Sequence, residues 1–90
     1  MQRVIITVVG RDCVGIIAKV CTFLAQEQIN ILDISQTIVS GFFNMMMIAD
    51  MAACTKSIED VEASLDGLGS SIGVTIRIQR EEIFDMMHRI

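Results

Sequence analysis

The chain has 90 residues, of which 52% are hydrophobic and 20% charged, and its net charge at pH 7 is −4. A chain of this length forms one domain that buries only about 60 to 65% of its unfolded surface, so association with another chain would add useful burial. The acidic balance excludes nucleic acid and an acidic membrane surface as expected partners, because a phosphate-rich partner requires a clustered basic footprint.

The cysteines and the N-terminus favour a cytoplasmic protein. Met1 leads almost directly into a strand pattern rather than a secretory signal, and no apolar stretch is long enough to span a bilayer. Cys13, Cys21 and Cys54 form no CxxC pair. We therefore expect free, buried thiols in a reducing compartment, and no metal site or cofactor.

The first half of the chain predicts a strand, a helix and a second strand. Residues 3–9 are rich in Val and Ile and almost continuously apolar, which indicates a central strand buried on both faces. A helix is expected from Ile16 to about residue 26, because apolar residues then recur at intervals of three and four. Residues 31–39 alternate apolar and polar side chains, which predicts a strand with one buried face.

A hairpin turn and a methionine-rich strand follow. Ser40 and Gly41 separate two strand-like segments by a short turn, which is typical of a hairpin. The third strand, residues 42–51, contains four methionines, and neither of its faces is clearly polar. Methionine could form an adaptable binding surface, but filling gaps in the core is its commoner use.

The last part of the chain predicts a helix, a strand and a short C-terminal helix. Ser57 and Asp60 fit a capping box at the start of the second helix, and Gly69 is placed to end it. Residues 73–80 alternate as a fourth strand. Residues 81–90 form an amphipathic helix candidate that is too short to be stable alone, so we expect Phe84 and Met87 to pack on the sheet of the same chain or of a neighbour.

The predicted order β-α-β-β-α-β indicates an α+β, ferredoxin-like sandwich: a four-stranded antiparallel sheet with two helices on one face, plus the short C-terminal helix. Residues 1–80 form this domain and residues 81–90 are its extension. Right-handed crossovers place the first and third strands in the centre and the other two at the edges. The edge strand 31–39 carries no Lys, Arg or Pro to discourage pairing with another chain.

The candidate functional stretch lies between the first strand and the first helix. Gly10 and Gly15 flank Arg11 and Asp12 at this turn, and the N–H groups of Val14, Gly15 and Ile16 are expected to lack partners within the helix. Such an end accepts an anion, and glycine allows close approach of a ligand. A purely structural alternative is that Gly10 permits a tight turn and Asp12 caps the helix.

Other functions of this architecture fit the sequence less well. An RNA-binding module needs aromatic residues on the central strands, and a soft-metal carrier needs two thiolates in the first loop. His88 has no Cys or Ser partner in the sequence that would indicate catalysis, so we expect no enzyme activity. An acylphosphatase-like enzyme is an enzymatic alternative, with Arg11 and Asn44 as its only candidate groups.

The stretch from Val9 to Val20, followed by Phe23-Leu24-Ala25 and Ile29-Asn30-Ile31, resembles the G-x-D-x-x-G-I-x-A-x-V … L-A … N-I pattern of ACT domains, which are regulatory modules that sense amino acids. The resemblance covers residues 3–80. Among ACT domains, the chain is similar to the small stand-alone proteins related to the glycine cleavage system repressor.

The resemblance implies homodimers, or higher homo-oligomers, in which the second strand and first helix of two chains meet. It also implies a ligand at that junction, between the turn from Gly10 to Ile16 of one subunit and Asn30 and Ile31 of the other. We expect a free amino acid there, whose carboxylate meets the Gly15 and Ile16 amides near Arg11 and whose ammonium group meets Asp12 or Asn30.

The ligand signal would pass to a regulated protein partner. A ligand-free module that assembles proteins through an apolar surface is the alternative. The expected ligand-binding residues are Gly10, Arg11, Asp12, Val14, Gly15, Ile16, Asn30 and Ile31.

Overall fold

A computed structural model describes residues 1–83 of the chain as six main elements in the predicted order. The elements are β1 (Arg3–Arg11), α1 (Ile16–Gln26), β2 (Asn30–Val39), β3 (Phe42–Asp50), α2 (Ile58–Ile72) and β4 (Val74–Arg80). The strands form one antiparallel sheet in the order β2-β3-β1-β4. The ferredoxin-like topology, with the first and third strands central, is therefore confirmed.

The core lies between the sheet and the two helices. Alternate residues of β1, β3 and β4 point toward the helices and are buried, together with the apolar stripe of each helix. The strands contribute Val4, Ile6, Val8, Phe43, Met45, Met47, Ala49, Val74, Ile76 and Ile78, and the helices contribute Ile16, Val20, Leu24, Val61 and Leu65. This cluster confirms the helical and strand periodicities read from the sequence.

The opposite face of the sheet is more exposed than the sequence predicts. Ile5 is buried there, but Val9 is 48% exposed, so β1 is not buried on both faces along its whole length. The predicted buried face of β2 is also wrong, because none of residues 30–39 is buried. On the helix side of the sheet, Ile34 and Ile38 remain 44% and 52% exposed, although Met47 and Phe43, their partners on β3, are buried.

The methionines of β3 divide between the two faces. Met45 and Met47 are buried beneath the helices, which confirms the expected gap-filling use, whereas Met46 is 41% exposed on the opposite face. This alternation follows the two-residue period of a strand. It cannot be seen in the sequence, because nearly every residue of β3 is apolar.

The start of α2 agrees with prediction and its end does not. The Ser57 Oγ atom accepts a hydrogen bond from the Asp60 N–H over 3.2 Å, which confirms Ser57 as the N-cap. Gly69 does not end the helix, which continues to Ile72 and is capped by Gly73 at φ +80°. Gly69 serves packing instead, because a Cβ there would lie 2.6 Å from the Val74 carbonyl oxygen.

After β4 the chain turns into a helical conformation over residues 81–83. The Glu81 carboxylate pairs with the Arg3 Nε atom at 2.9 Å, which joins this turn to the start of β1. The rest of the predicted C-terminal helix, with Phe84 and Met87, lies outside the described residues. Within residues 1–83, no helix combines the length and apolarity needed to cross a membrane.

Candidate functional site

The loop between β1 and α1 is held against the turn between β2 and β3. The Asp12 N–H donates a hydrogen bond to the Gly41 carbonyl oxygen over 2.8 Å. Gly10 lies within β1 rather than in the turn, and a Cβ on it would come within 2.8 to 2.9 Å of Val74 atoms. The expectation that Gly10 permits a tight turn is therefore wrong: its small size lets β1 and β4 approach each other.

The start of α1 has no side-chain cap. The N-cap residue is Gly15, at φ 90° and ψ 4°, and within the described chain no side chain bonds to this helix end. The Lys19 N–H makes the first backbone bond of the helix, to the Gly15 carbonyl oxygen, at 3.0 Å. The N–H groups of Ile16, Ile17 and Ala18 therefore have no partner within the helix.

Two expectations about this helix end are corrected. Asp12 is not the N-cap, because it lies three residues before Gly15 and its backbone bonds to the neighbouring turn. Of the predicted donors, Val14 and Gly15 precede the helix and only Ile16 belongs to its first turn. The anion-accepting end is thus shifted toward the C-terminus by about two residues, and it combines free N–H groups with the positive end of the helix dipole.

An exposed cation stands at the end of β1, where this loop begins. The Arg11 guanidinium carbon lies 5.6 Å from the centre of the Phe42 ring, within the range of a cation–π interaction. Arg11 pairs with Phe42 across β1 and β3, and both side chains are exposed. Phe42 was not identified from the sequence, because no short turn joins β1 to β3 and their register cannot be read from spacing.

In a single chain this site is an open surface. Val14 is 100% exposed, and a Cβ on Gly15 would meet only the Lys19 Cε atom, at 4.0 Å. Cys13 is exposed rather than buried, and its Sγ–H donates to the Ile72 carbonyl oxygen over 3.7 Å. The loop therefore leaves the N–H groups at the start of α1 open to an approaching ligand.

The structure does not bring Asn30 and Ile31 to this loop within one chain. Asn30 and Arg3 both pair with Asp50, whereas Val39 and Arg11 both pair with Phe42. At about 3.3 Å per residue along β1, these two ends of the sheet are about 26 Å apart. Asn30 and Ile31 could therefore meet the loop only from another chain.

Other polar features lie away from the loop. Asp50 Oδ1 accepts hydrogen bonds from the N–H groups of Ala52, at 3.0 Å, and Gln2, at 2.9 Å, and these lower the pKa of its carboxyl group. A cavity of about 600 Å³ lies at the same end of the sheet, lined in part by Arg3, Lys56 and Glu82. A depression of about 240 Å³ on the open face of the sheet includes Val9 and Met46.

The described residues offer few side chains for metal binding or for an acylphosphatase-like reaction. Within residues 1–83, no three His, Cys, Asp or Glu side chains are grouped so that they could hold a metal ion. Asn44 pairs with Val9, two residues along β1 from Arg11, and both Arg11 and Asn44 belong to the face opposite the helices. The Arg11 guanidinium stacks on Phe42 in this arrangement.

Comparisons with known proteins agree with the fold and the motif. The family model of the ACT domain matches residues 2–79. A UPF0237 protein of Bifidobacterium longum is 60% identical over 90 residues, and the match covers all of both chains. An ACT domain protein from Streptococcus pneumoniae superposes with a TM-score of 0.82 at 34% identity, over 93% of this chain and 94% of that one. A protein assigned as a glycine cleavage system transcriptional repressor gives a TM-score of 0.74 at 29% identity, over 88% of this chain and 45% of that one.

Proposed function

The chain belongs to the ACT-domain family, and on that premise we propose that it senses a free amino acid at the junction of a homodimer and passes the signal to a protein partner in the cytoplasm. The observation that carries the proposal is the uncapped start of α1 at Gly15, in the loop that follows Arg11 at the end of β1. Backbone donors, a helix dipole and a guanidinium group together favour a carboxylate. We propose a binding module without catalytic activity of its own.

Each end of the amino acid has a partner in this arrangement. Its carboxylate would accept hydrogen bonds from the free N–H groups of Ile16 and Ile17, and the Arg11 guanidinium would balance its charge. Its ammonium group would meet the Asp12 carboxylate or the partner subunit's Asn30. Hydrogen bonds to charged groups are among the stronger ones in proteins, so a few such contacts can give a small ligand useful affinity.

The edge strand supports the placement at a dimer junction. The Val39 end of β2 adjoins the turn at Gly41, which is hydrogen-bonded to the loop at Asp12. Antiparallel pairing of β2 with a second β2 would bring the partner's Asn30 end to this Val39 end. Asn30 and Ile31, remote from the loop in one chain, would then approach the loop of the other.

A ligand bound at this junction would stabilise the dimer. Since it contacts both subunits, it binds the paired state better than the separate chains and shifts the population toward that state. A protein partner that distinguishes the two states would receive the signal. The same linkage requires that this partner, when bound, change the affinity for the amino acid by the same factor.

A thermal-shift screen of extensively dialysed protein against the common amino acids tests the proposal. A ligand at about 100 times its dissociation constant should add roughly 2.7 kcal/mol of stability, which is several degrees for a domain of this size. We expect one or two amino acids to raise the Tm and Arg11→Ala and Asp12→Ala to reduce the shift. Matched controls are Arg77→Ala and Asp66→Ala, which remove the same charges from exposed positions elsewhere. Equal shifts in all variants would contradict the assigned site.

The second candidate is a ligand-free assembly module. It is favoured by the apolar side chains on the sheet face opposite the helices, where Val9 is 48%, Phe42 50% and Met46 41% exposed. Two results together would favour this second function over the sensor. No amino acid would raise the Tm in the screen, and a protein partner would bind the wild type and the Arg11→Ala variant but not the Phe42→Ser variant.

A further inference from the structure

Ile5 is buried on the open face of the sheet, the face opposite the helices. It alternates along β1 with Val4 and Ile6, which point toward the helices, and it is only 5% exposed. Among the described residues, every other buried apolar side chain belongs to the core cluster, and Ile5 is the exception. The burial of Ile5 therefore requires a cover other than the helix layer.

Burial on the open face decreases with distance from Ile5. Its cross-strand neighbours Ile48 and Gln79 are half-buried, and we call these three residues the Ile5 patch. Farther along the same face, Val9 is 48% and Met46 41% exposed. Val9 lies on the same central strand as Ile5, so the place of the strand in the sheet does not explain the difference. The gradient indicates a cover centred on Ile5.

The chain that follows β4 approaches this patch. The Glu81 carboxylate pairs with the Arg3 Nε atom at 2.9 Å. Arg3 lies on the same face of β1 as Ile5, about 7 Å from it along the strand. Residues 84–90 come shortly after Glu81, and even at the rise of a helix, about 1.5 Å per residue, they reach about 10 Å. The end of the chain can therefore cover Ile5 of its own domain.

We propose that residues 84–90 dock on the Ile5 patch of their own chain, with Phe84 and Met87 against Ile5 and Ile48. Phe84 and Met87 are three residues apart in the sequence, which places them on one side of the helix that the sequence predicts. The connection from β4 is short, so the segment has a high effective concentration at its own patch. This favours docking on its own chain over docking on a second copy.

The charges agree with a segment that crosses the sheet from β4 toward β2. Asp33 of β2 lies in the same cross-strand row as Ile5. With strands about 4.8 Å apart, β4 and β2 are about 14 Å apart. A helix of residues 81–90 would span about 15 Å, which matches this width. Such a path brings the basic Arg89 toward the Asp33 carboxylate.

The docked segment limits the part of the open face that a protein partner can reach. It closes the Ile5 patch and leaves Val9, Phe42 and Met46 accessible. The partner surface of the second candidate function therefore lies toward the Phe42 end of the sheet, and it extends over Ile5 only when the segment leaves. The docking does not depend on the amino-acid site.

Thiol labelling tests the cover in a chain whose own cysteines are replaced, by Cys13→Ser, Cys21→Ala and Cys54→Ala. In this background Ile5→Cys should react with a thiol reagent about tenfold or more slowly than Val9→Cys. Adding Phe84→Ser and Met87→Ser should raise the Ile5→Cys rate by about tenfold or more and leave the Val9→Cys rate unchanged. Ala49→Cys, at a fully buried core position, should stay protected in both cases, which shows that the fold is intact. An Ile5→Cys rate that does not respond to these serines would overturn the docking.

Cross-linking distinguishes the chain's own segment from that of a second copy. In the same cysteine-free background, Ile48→Cys combined with Met87→Cys should be linked within one chain by a short bis-maleimide, with a yield that dilution does not change. Phe42→Cys combined with Met87→Cys is the matched control and should give no link, because Phe42 lies about 20 Å from Ile48 along β3. A link that joins two chains and is lost on dilution would assign the cover to a second copy. Absence of the link between positions 48 and 87 would reject the docking.

Discussion

Gly69 faces the carbonyl oxygen of Val74 so closely that a Cβ on Gly69 would lie 2.6 Å from it. Gly67, which comes shortly before Gly69 on the same helix, lies in open space, since a Cβ on Gly67 would meet no atom within 4 Å. The two glycines of α2 thus stand in opposite environments. Gly69 lets α2 lie close to β4. Gly67 has no such role, and it only disfavours the helical conformation at its position.

This contrast predicts opposite effects of one substitution. Gly67→Ala should raise the free energy of unfolding by about 0.5 to 1 kcal/mol, because alanine has the higher helix propensity. Gly69→Ala should lower it by about 1 to 3 kcal/mol, because the helix must move away from β4. Urea denaturation of the two variants measures both changes. A stabilised Gly69→Ala variant would contradict the close packing.

The methionines of β3 should differ sharply in their contribution to stability. Met47→Ala should cost about 2 to 5 kcal/mol, because Met47 is fully buried and its truncation leaves a cavity. Met46→Ala, at a position that is 41% exposed, should cost less than about 1 kcal/mol. Similar costs for both variants would mean that the open face of the sheet is covered in solution.

Asp50 should make the stability depend on acid pH. Its pKa is held below the ordinary value of 3.8, first by the hydrogen bond from the Ala52 N–H and then by that from Gln2. A carboxyl group with a lowered pKa stabilises the fold above its unfolded-state pKa, and this contribution is lost as the pH falls through the folded-state pKa. Asp50→Asn should therefore reduce the wild-type loss of stability below pH 3.8. Urea denaturation across this range, with Asp66→Asn as the control, measures the difference.

A cation on the edge of β2 should disfavour pairing between chains. Ile38→Lys should fold, because Ile38 is 52% exposed, but it should shift the chain toward the monomer, since a lysine on an edge strand opposes the addition of a second strand. Thr75→Lys, at an exposed position of the opposite edge strand, is the control. Light scattering during size-exclusion chromatography measures the mass. Dimers of equal stability in both variants would place the interface elsewhere.

The order of the elements could be predicted because burial leaves a periodic pattern in each of them. Val20 and Leu24 mark one side of a helix, and Val74 and Ile76 mark one side of a strand, whatever packs against them. The exposure of Ile34 could not be predicted in the same way. Its alternation with polar residues indicates which face is apolar, whereas the strand order and the extent of the helix layer decide whether that face is covered.

The candidate loop was found from its glycines, but their roles depend on contacts distant in sequence. Gly10 is required by Val74, which is 64 residues later in the chain. Gly15 rather than Asp12 is the N-cap of α1, and the Asp12 N–H bonds to the Gly41 carbonyl oxygen of a distant turn. The N-cap preference of aspartate describes an isolated helix end and contains no information on such a contact. The assignment of the ligand-binding residues themselves stays a prediction.

The two edges of the sheet differ in a way that limits how chains can assemble. The β2 edge has no basic residue, whereas β4 carries the exposed side chains of Arg77 and Arg80. Growth of a sheet from chain to chain would require both edges to accept strands. The β2 edge can accept another strand, whereas the arginines of β4 oppose strand addition. If two β2 strands pair, the only edges left exposed are the two β4 strands. Such a contact would be isologous and would close on itself, which would protect an unusually apolar small domain from forming fibres.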